Sequence, residues 1–177
     1  MTLTEEQSGF LSILRETGFI RRDQVLPLLR LHTPQKTAEQ AEGLLRRLAY
    51  LGRLVRLPDG TLALPELREG SPDAARLLAL DILLALAPAK LLQVSAPRPY
   101  ALCFLLERQD GWLDHFAVMP VPVGHEARVS QLLEAEPRDY VFLLALERME
   151  QYRELRLTRS HYFVLRQDGR LRFYKGG

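Results

Sequence analysis

TAEQAEGLLRRLAYLGRLVRLPDGTLAL, residues 37–64, decides how the first third of the chain is read. It holds a capped helix and a tight hairpin with almost nothing between them. Thr37 and Gln40 form a Thr-x-x-Gln capping box, in which each side chain serves the other residue's backbone N–H. Ala41, Leu44, Leu45, Leu48 and Leu51 recur at helical spacing and predict one buried face. Gly52 supplies the stop. The run LVRLPDGTLAL (54–64) then sets two short apolar stretches around Pro58-Asp59-Gly60, which reads as a β-hairpin.

Working back towards the start, Thr4 and Gln7 form another capping box. Phe10, Leu11, Ile13 and Leu14 follow at helical spacing, and Gly18 predicts the end of a helix running from about residue 5 to 16. Phe19-Ile20 reads as a short extended link. Asp23 is expected to cap a second helix with Val25, Leu28 and Leu29 inward, and Pro27 should then fall in its early turns. His32-Thr33-Pro34 is a loop. The order is helix, short link, helix, helix, hairpin.

That layout, in residues 1–67, resembles a winged helix, a helix-turn-helix variant whose hairpin is the wing. The resemblance implies double-stranded DNA as partner, with the third helix in a major groove and the hairpin beside the phosphate backbone. The outward face of that helix should present Glu39, Gln40, Glu42, Gly43, Arg46, Arg47 and Tyr50. Arg46, Arg47, Arg53 and Arg56 would hold phosphates, and Thr37 and Gln40 would lie near bases. Glu39 and Glu42 count against DNA, because carboxylates repel phosphates. The helix dipole gives the same acids a purely structural reason to stand at a helix N-terminus. Winged helices also serve as protein-docking modules, so an adaptor role remains the alternative.

Arg68-Glu69-Gly70-Ser71-Pro72 is a polar linker, and residues 73–177 read as a second unit. Asp73 is expected to cap a helix to about Leu86 that is apolar nearly all round, hence central. Asp81 is the only charge in its middle, and is expected at a rim or paired with an arginine. Strands are expected at 91–95, 100–108 and 112–121, a helix at 125–135, and a continuous apolar strand at YVFLLAL (140–146) in a covered position. One or two helical turns follow at 149–155, then a terminal hairpin of 162–166 and 171–174.

The expected fold class is therefore α+β or α/β: a winged helix plus a mixed-sheet domain of order α-β-β-β-α-β with a terminal β-hairpin. The domain's order resembles the restriction-endonuclease-like core. A winged helix followed by such a core resembles replication-relaxation proteins of plasmids and integrative elements. The resemblance implies a regulator or accessory factor of a mobile element.

Nuclease chemistry of that class needs carboxylates on the second and third strands and a nearby lysine to hold a divalent metal and activate water. Glu107 and Asp114 are the available acids. Phe116 stands where a lysine would follow Asp114, so no enzyme activity is expected. Asp114-His115, His125-Glu126 and His161 are the remaining candidate metal ligands, but their spacing is non-specific, and no metal or cofactor is expected. Ser130 and Ser160 lack a nucleophile-elbow context. No glycine-rich loop meets a strand-to-helix junction.

Of the 24 basic residues, only Lys36, Lys90 and Lys175 are lysines, and the net charge is +2. That charge is too small to argue for nucleic acid alone. It is unevenly spread. From Arg148 onward there are eight basic residues against three acidic ones, a balance of +5, interleaved with Tyr152, Tyr162, Phe163, Phe173 and Tyr174. Such a pattern suits a phosphate backbone, or equally a guarded sheet edge. The polar, acidic start MTLTEEQSGF does not read as a signal peptide. The apolar stretch 77–94 is interrupted by Asp81, Pro88 and Lys90, which argues against a membrane span. The lone Cys103, set in ALCFLL, predicts a buried thiol and a reducing compartment. These points place the chain in the cytoplasm, with self-association or a protein partner expected through the sheet domain.

Overall fold

The structure is a computed structural model that describes residues 3–87 and 89–176, and Pro88 lies outside the described residues. Helix α1 (Glu5–Thr17) starts at the reciprocal Thr4–Gln7 box and stops at Gly18, whose φ of 80° suits glycine. Strand β1 (Phe19–Ile20) follows, then α2 (Arg22–Arg30) and α3 (Ala38–Tyr50). Strands β2 (Val55–Arg56) and β3 (Leu62–Ala63) complete a three-stranded antiparallel sheet in the order β1-β3-β2. Phe19-Ile20 is thus more than a link. It pairs with Ala63 and Leu62, tying the first helix to the hairpin.

The cap of α2 differs from expectation. Arg21 occupies the N-cap, and its N–H is bonded by the Gln24 side chain at 3.0 Å. Asp23 lies inside the first turn, where it accepts from Arg21 Nε at 3.1 Å. The earlier start leaves Pro27 well within the helix. Pro27 is exposed, so the carbonyl that loses its donor faces water.

A short 3₁₀ turn (Pro65–Leu67) leads to α4 (Ala74–Ala85), capped as expected by Asp73, which accepts from the N–H groups of Ala75 and Arg76. Strands β4 (Lys90–Ser95), β5 (Leu102–Glu107) and β6 (Leu113–Val121) form an antiparallel meander. Helix α5 (Glu126–Glu134) carries the chain to β7 (Val141–Leu146), parallel to β6. A 3₁₀ turn (Met149–Arg153) precedes β8 (His161–Gln167), parallel to β7, and β9 (Arg170–Lys175) returns antiparallel. The result is one mixed six-stranded sheet in sequence order, β4 to β9. The terminal hairpin belongs to this sheet. YVFLLAL is covered on both sides because β7 lies between two parallel neighbours.

Alternation along the strands gives each face its own core. Leu102, Phe104, Leu106, Phe116, Val118, Leu143, Ala145 and Val164 face α4 and the N-terminal helices. Cys103, Ala117, Met119, Phe142, Leu144, Phe163 and Leu165 face α5 and the 3₁₀ segment. The first of these cores runs without a break from the sheet through Leu80, Ile82 and Leu83 of α4 to Leu14, Leu28 and Leu48 of the N-terminal helices. Residues on both sides of the 68–72 linker therefore share one interior.

Asp81 fastens that junction. Its side chain, 15% exposed, accepts from Arg21 Nη2 at 2.6 Å, from Gln24 Nε2 at 2.7 Å and from Arg166 Nη2. The partners are the N-cap residue of α2, Gln24 within that helix, and Arg166 of β8. Among the described residues no helix is long and apolar enough to cross a membrane.

Candidate nucleic-acid interface

Helix α3 buries Ala41, Leu44, Leu45 and Leu48, which turns the intervening positions outward. Glu39, Gln40, Arg46, Arg47 and Tyr50 are exposed, Tyr50 by 87%. The helix ends in a Schellman arrangement, with Gly52 at φ 65° and Arg53 N–H bonded to Leu48 O at 2.9 Å. This sharp stop brings Arg53 directly into β2 and Arg56. Arg53 and Arg56 are also exposed. Among the described residues none of Arg46, Arg47, Arg53 and Arg56 makes an ion pair or a side-chain hydrogen bond.

The hairpin turn is closed by its own hydrogen bonds. Leu57 N–H bonds to Thr61 O at 2.8 Å, and Gly60 takes φ 84°. The Asp59 carboxylate accepts from Thr61 N–H at 2.9 Å and from the Thr61 hydroxyl at 3.0 Å. Arg56 lies against this turn, since a Cβ on Gly60 would sit 3.8 Å from Arg56 Nη2.

Thr37 and Gln40 stand at the exposed start of α3, as expected, but their side chains are already engaged. Thr37 Oγ1 accepts from Gln40 N–H at 3.2 Å, and Gln40 Oε1 accepts from Thr37 N–H at 3.0 Å. Gln40 keeps its two Nε2 protons and one Oε1 lone pair for another partner. The two acids differ. Glu42 is paired with Arg22 of α2, whereas Glu39 is exposed. Arg22 escaped sequence reasoning because the pair joins residues twenty apart, outside any helical spacing. Gly43 lies midway along the outward face, and a Cβ there would meet nothing within 4 Å. Nothing inside the chain requires a glycine at that position.

The other candidate residues are scattered. Leu106 pairs with Asp114 and Glu107 with Leu113, so Glu107 and Asp114 project to opposite faces of the sheet. Lys90 Nζ is 3.6 Å from Glu107, and Arg108 Nη1 is 3.6 Å from Asp114. His115 packs edge-on against Tyr140 at 4.4 Å, and burial holds its pKa below the ordinary value. Glu126 is buried, accepting from Gly124 N–H and Gln151 Nε2. His161 is buried beside Phe163. Among the described residues no three His, Cys, Asp or Glu side chains gather as a metal cage.

The most perturbed charge serves the scaffold. Glu136 is forked by Arg138 at 2.6 and 2.9 Å and accepts from the Tyr100 hydroxyl at 2.7 Å. The Arg138 bonds, with help from Tyr100, hold its pKa down to about 2. Burial first, and then Glu136, pushes the Tyr100 hydroxyl above its ordinary range. Cys103, buried nearby, is raised to about 11 by desolvation.

Models of known protein families, curated proteins and solved structures were each compared with the chain, and none matches it.

Proposed function

We propose that the chain is a non-catalytic DNA-binding protein whose N-terminal part is a winged helix. The element order α1-β1-α2-α3-β2-β3 with sheet order β1-β3-β2 supports the winged-helix reading. The order α4-β4-β5-β6-α5-β7 supports the restriction-endonuclease-like reading of the larger sheet. The opposed directions of Glu107 and Asp114 argue against metal-dependent cleavage by it.

One observation carries the DNA reading. Four exposed arginines, unpaired among the described residues, run from the last turns of α3 into the hairpin, while Arg22 neutralises the nearby Glu42. Arginines without carboxylate partners are ready to fork onto phosphate oxygens. The sheet domain is read as the seat of self-association or partner contact. The link to plasmid or element maintenance rests on the resemblance in element order. A protein-docking role for α3 draws on the exposed Tyr50 and Glu39.

The test is duplex binding across a salt series. Affinity for random duplex should fall steeply with salt, and the Arg46→Ala/Arg47→Ala pair should lower the log–log slope by about 2. A protein that shows no salt-sensitive duplex binding refutes the proposal.

A further inference from the structure

The basic excess after Arg148 is sorted by the fold into committed and uncommitted charge. Arg166 is spent on Asp81, and Arg159 on the carbonyl oxygens of Glu136 and Arg138. Arg153, Arg156, Arg170 and Arg172 are exposed and make no ion pair among the described residues. Their placement is not random. The register Phe163↔Tyr174, Leu165↔Arg172 and Gln167↔Arg170 puts Arg170, Arg172 and Tyr174 on one face of the sheet. That face also carries His161 and Phe163, and the 3₁₀ segment lies over it.

Between that segment and β8 lies an open cleft of about 550 Å³. Its floor is apolar and aromatic, formed by Leu155, Leu157 and Phe163, and its walls carry Tyr152, Arg153 and Arg156. The Tyr152 ring lies 6.1 Å from Phe163, tilted by 56°, and Arg153 sits 5.7 Å over Tyr152. His161 closes the base. Its Nδ1 is 2.7 Å from Arg159 O, and a Cβ on Gly176 would lie 1.9 Å from its Nε2. The imidazole is thus wedged in place and adds a flat wall. Among the described residues the charged side chains that line the cleft are arginines, which favours an anionic ligand.

A floor of Leu155, Leu157 and Phe163, rimmed by guanidinium groups that make no ion pair among the described residues, with Arg153 bonded only to the Tyr152 hydroxyl at 3.4 Å, matches a flat base joined to a phosphate. The volume falls in the range of small-ligand sites. A base reaches such a cleft only when it is outside a duplex stack. An acidic peptide would use the arginines but leave the aromatic floor without a partner. We propose that this cleft holds an unpaired nucleotide of a single strand, its base against Tyr152 and Phe163 and its phosphate on Arg153 and Arg156. Arg170 and Arg172 lie along β9, where flanking phosphates would pass. This site is separate from the α3 face and does not depend on duplex binding there.

The experiment follows fluorescein-labelled dT12 by anisotropy with the full chain at low salt. The expected result is salt-sensitive binding that weakens about tenfold or more in Tyr152→Ala and is retained in Tyr152→Phe. The Arg153→Ala/Arg156→Ala pair should flatten the salt slope by about 1.4. Arg46→Ala/Arg47→Ala should leave dT12 affinity within about twofold while weakening duplex. Absent dT12 binding, or binding indifferent to Tyr152→Ala and to the arginine pair, overturns the proposal. So does a poly-glutamate peptide that displaces dT12 at equal concentration. All three cleft side chains are exposed, and an unchanged thermal melt confirms that each variant is folded.

Discussion

Asp81→Asn isolates what the charge between α2 and β8 contributes. The amide keeps the shape of the carboxylate but removes the charge shared by Arg21 and Arg166, leaving Arg166 without its counter-ion and Arg21 with only the exposed Asp23. Breaking a fully buried ion pair costs about 3–5 kcal/mol, and exposed pairs contribute under about 1 kcal/mol. Asp81 is 15% exposed, whereas Arg21 is 33% and Arg166 49% exposed, so water screens the arginines in part. A loss of about 2–3 kcal/mol is expected. In urea, with a slope near 2 kcal/mol/M, the midpoint should fall by about 1–1.5 M. Arg166→Ala should cost less, under about 1 kcal/mol, because Asp81 keeps Arg21 and Gln24. The assay is equilibrium urea unfolding followed by far-ultraviolet circular dichroism. An Asp81→Asn midpoint equal to the parent's would show that the cluster is water-shared and holds nothing together.

Gly43→Ala should raise stability by about 0.5–1 kcal/mol, since glycine is a poor helix former and no atom lies near the new methyl. If the α3 face sits close to DNA, the same variant should weaken duplex binding; equal affinity with raised stability would place the helix away from the duplex. Glu136 predicts acid sensitivity. The Arg138 fork holds its pKa down to about 2 in the folded chain against about 4.3 when unfolded, so its stabilisation is complete above the unfolded value and is lost as pH falls towards 2. Allowing for the half-exposed Arg138, about 2 kcal/mol should disappear across this window, and Glu136→Gln should flatten that part of a stability–pH curve. Cys103 should resist iodoacetamide at pH 8 in the folded chain and react at once in urea, because burial raises its pKa to about 11. Rapid labelling without denaturant would contradict its burial on the α5-side face of β5.

The local grammar of the chain was readable. Capping boxes at Thr4 and Thr37, the Asp73 cap, the stops at Gly18 and Gly52 and the Asp59-Gly60 turn all act within a few residues, so spacing alone locates them. The α2 cap was misread because Asp is the commoner capping residue, whereas here Gln24 reaches back to Arg21. Pairings over long distances left no such trace. Nothing in Phe19-Ile20 says that it pairs with Leu62-Ala63, or that β8 joins β7 rather than forming a hairpin apart. At the α3 face, exposure of the arginines followed from helical period, but the Arg22–Glu42 pair did not. In the C-terminal cleft, the alternation of basic and aromatic residues was visible, while the division into committed and free arginines required the sheet register.

The place of β7 has a consequence for biogenesis. Its apolar residues are paired on one side by β6, which precedes it in the chain, and on the other by β8, which leaves the ribosome after it. Until residues 161–167 arrive, YVFLLAL has one open edge, high β propensity and no charge. That is the composition of a segment that recruits further strands from other chains. A chain stopped after residue 150 should therefore precipitate rather than fold, and early occupancy by a chaperone would fall on this segment in nascent chains.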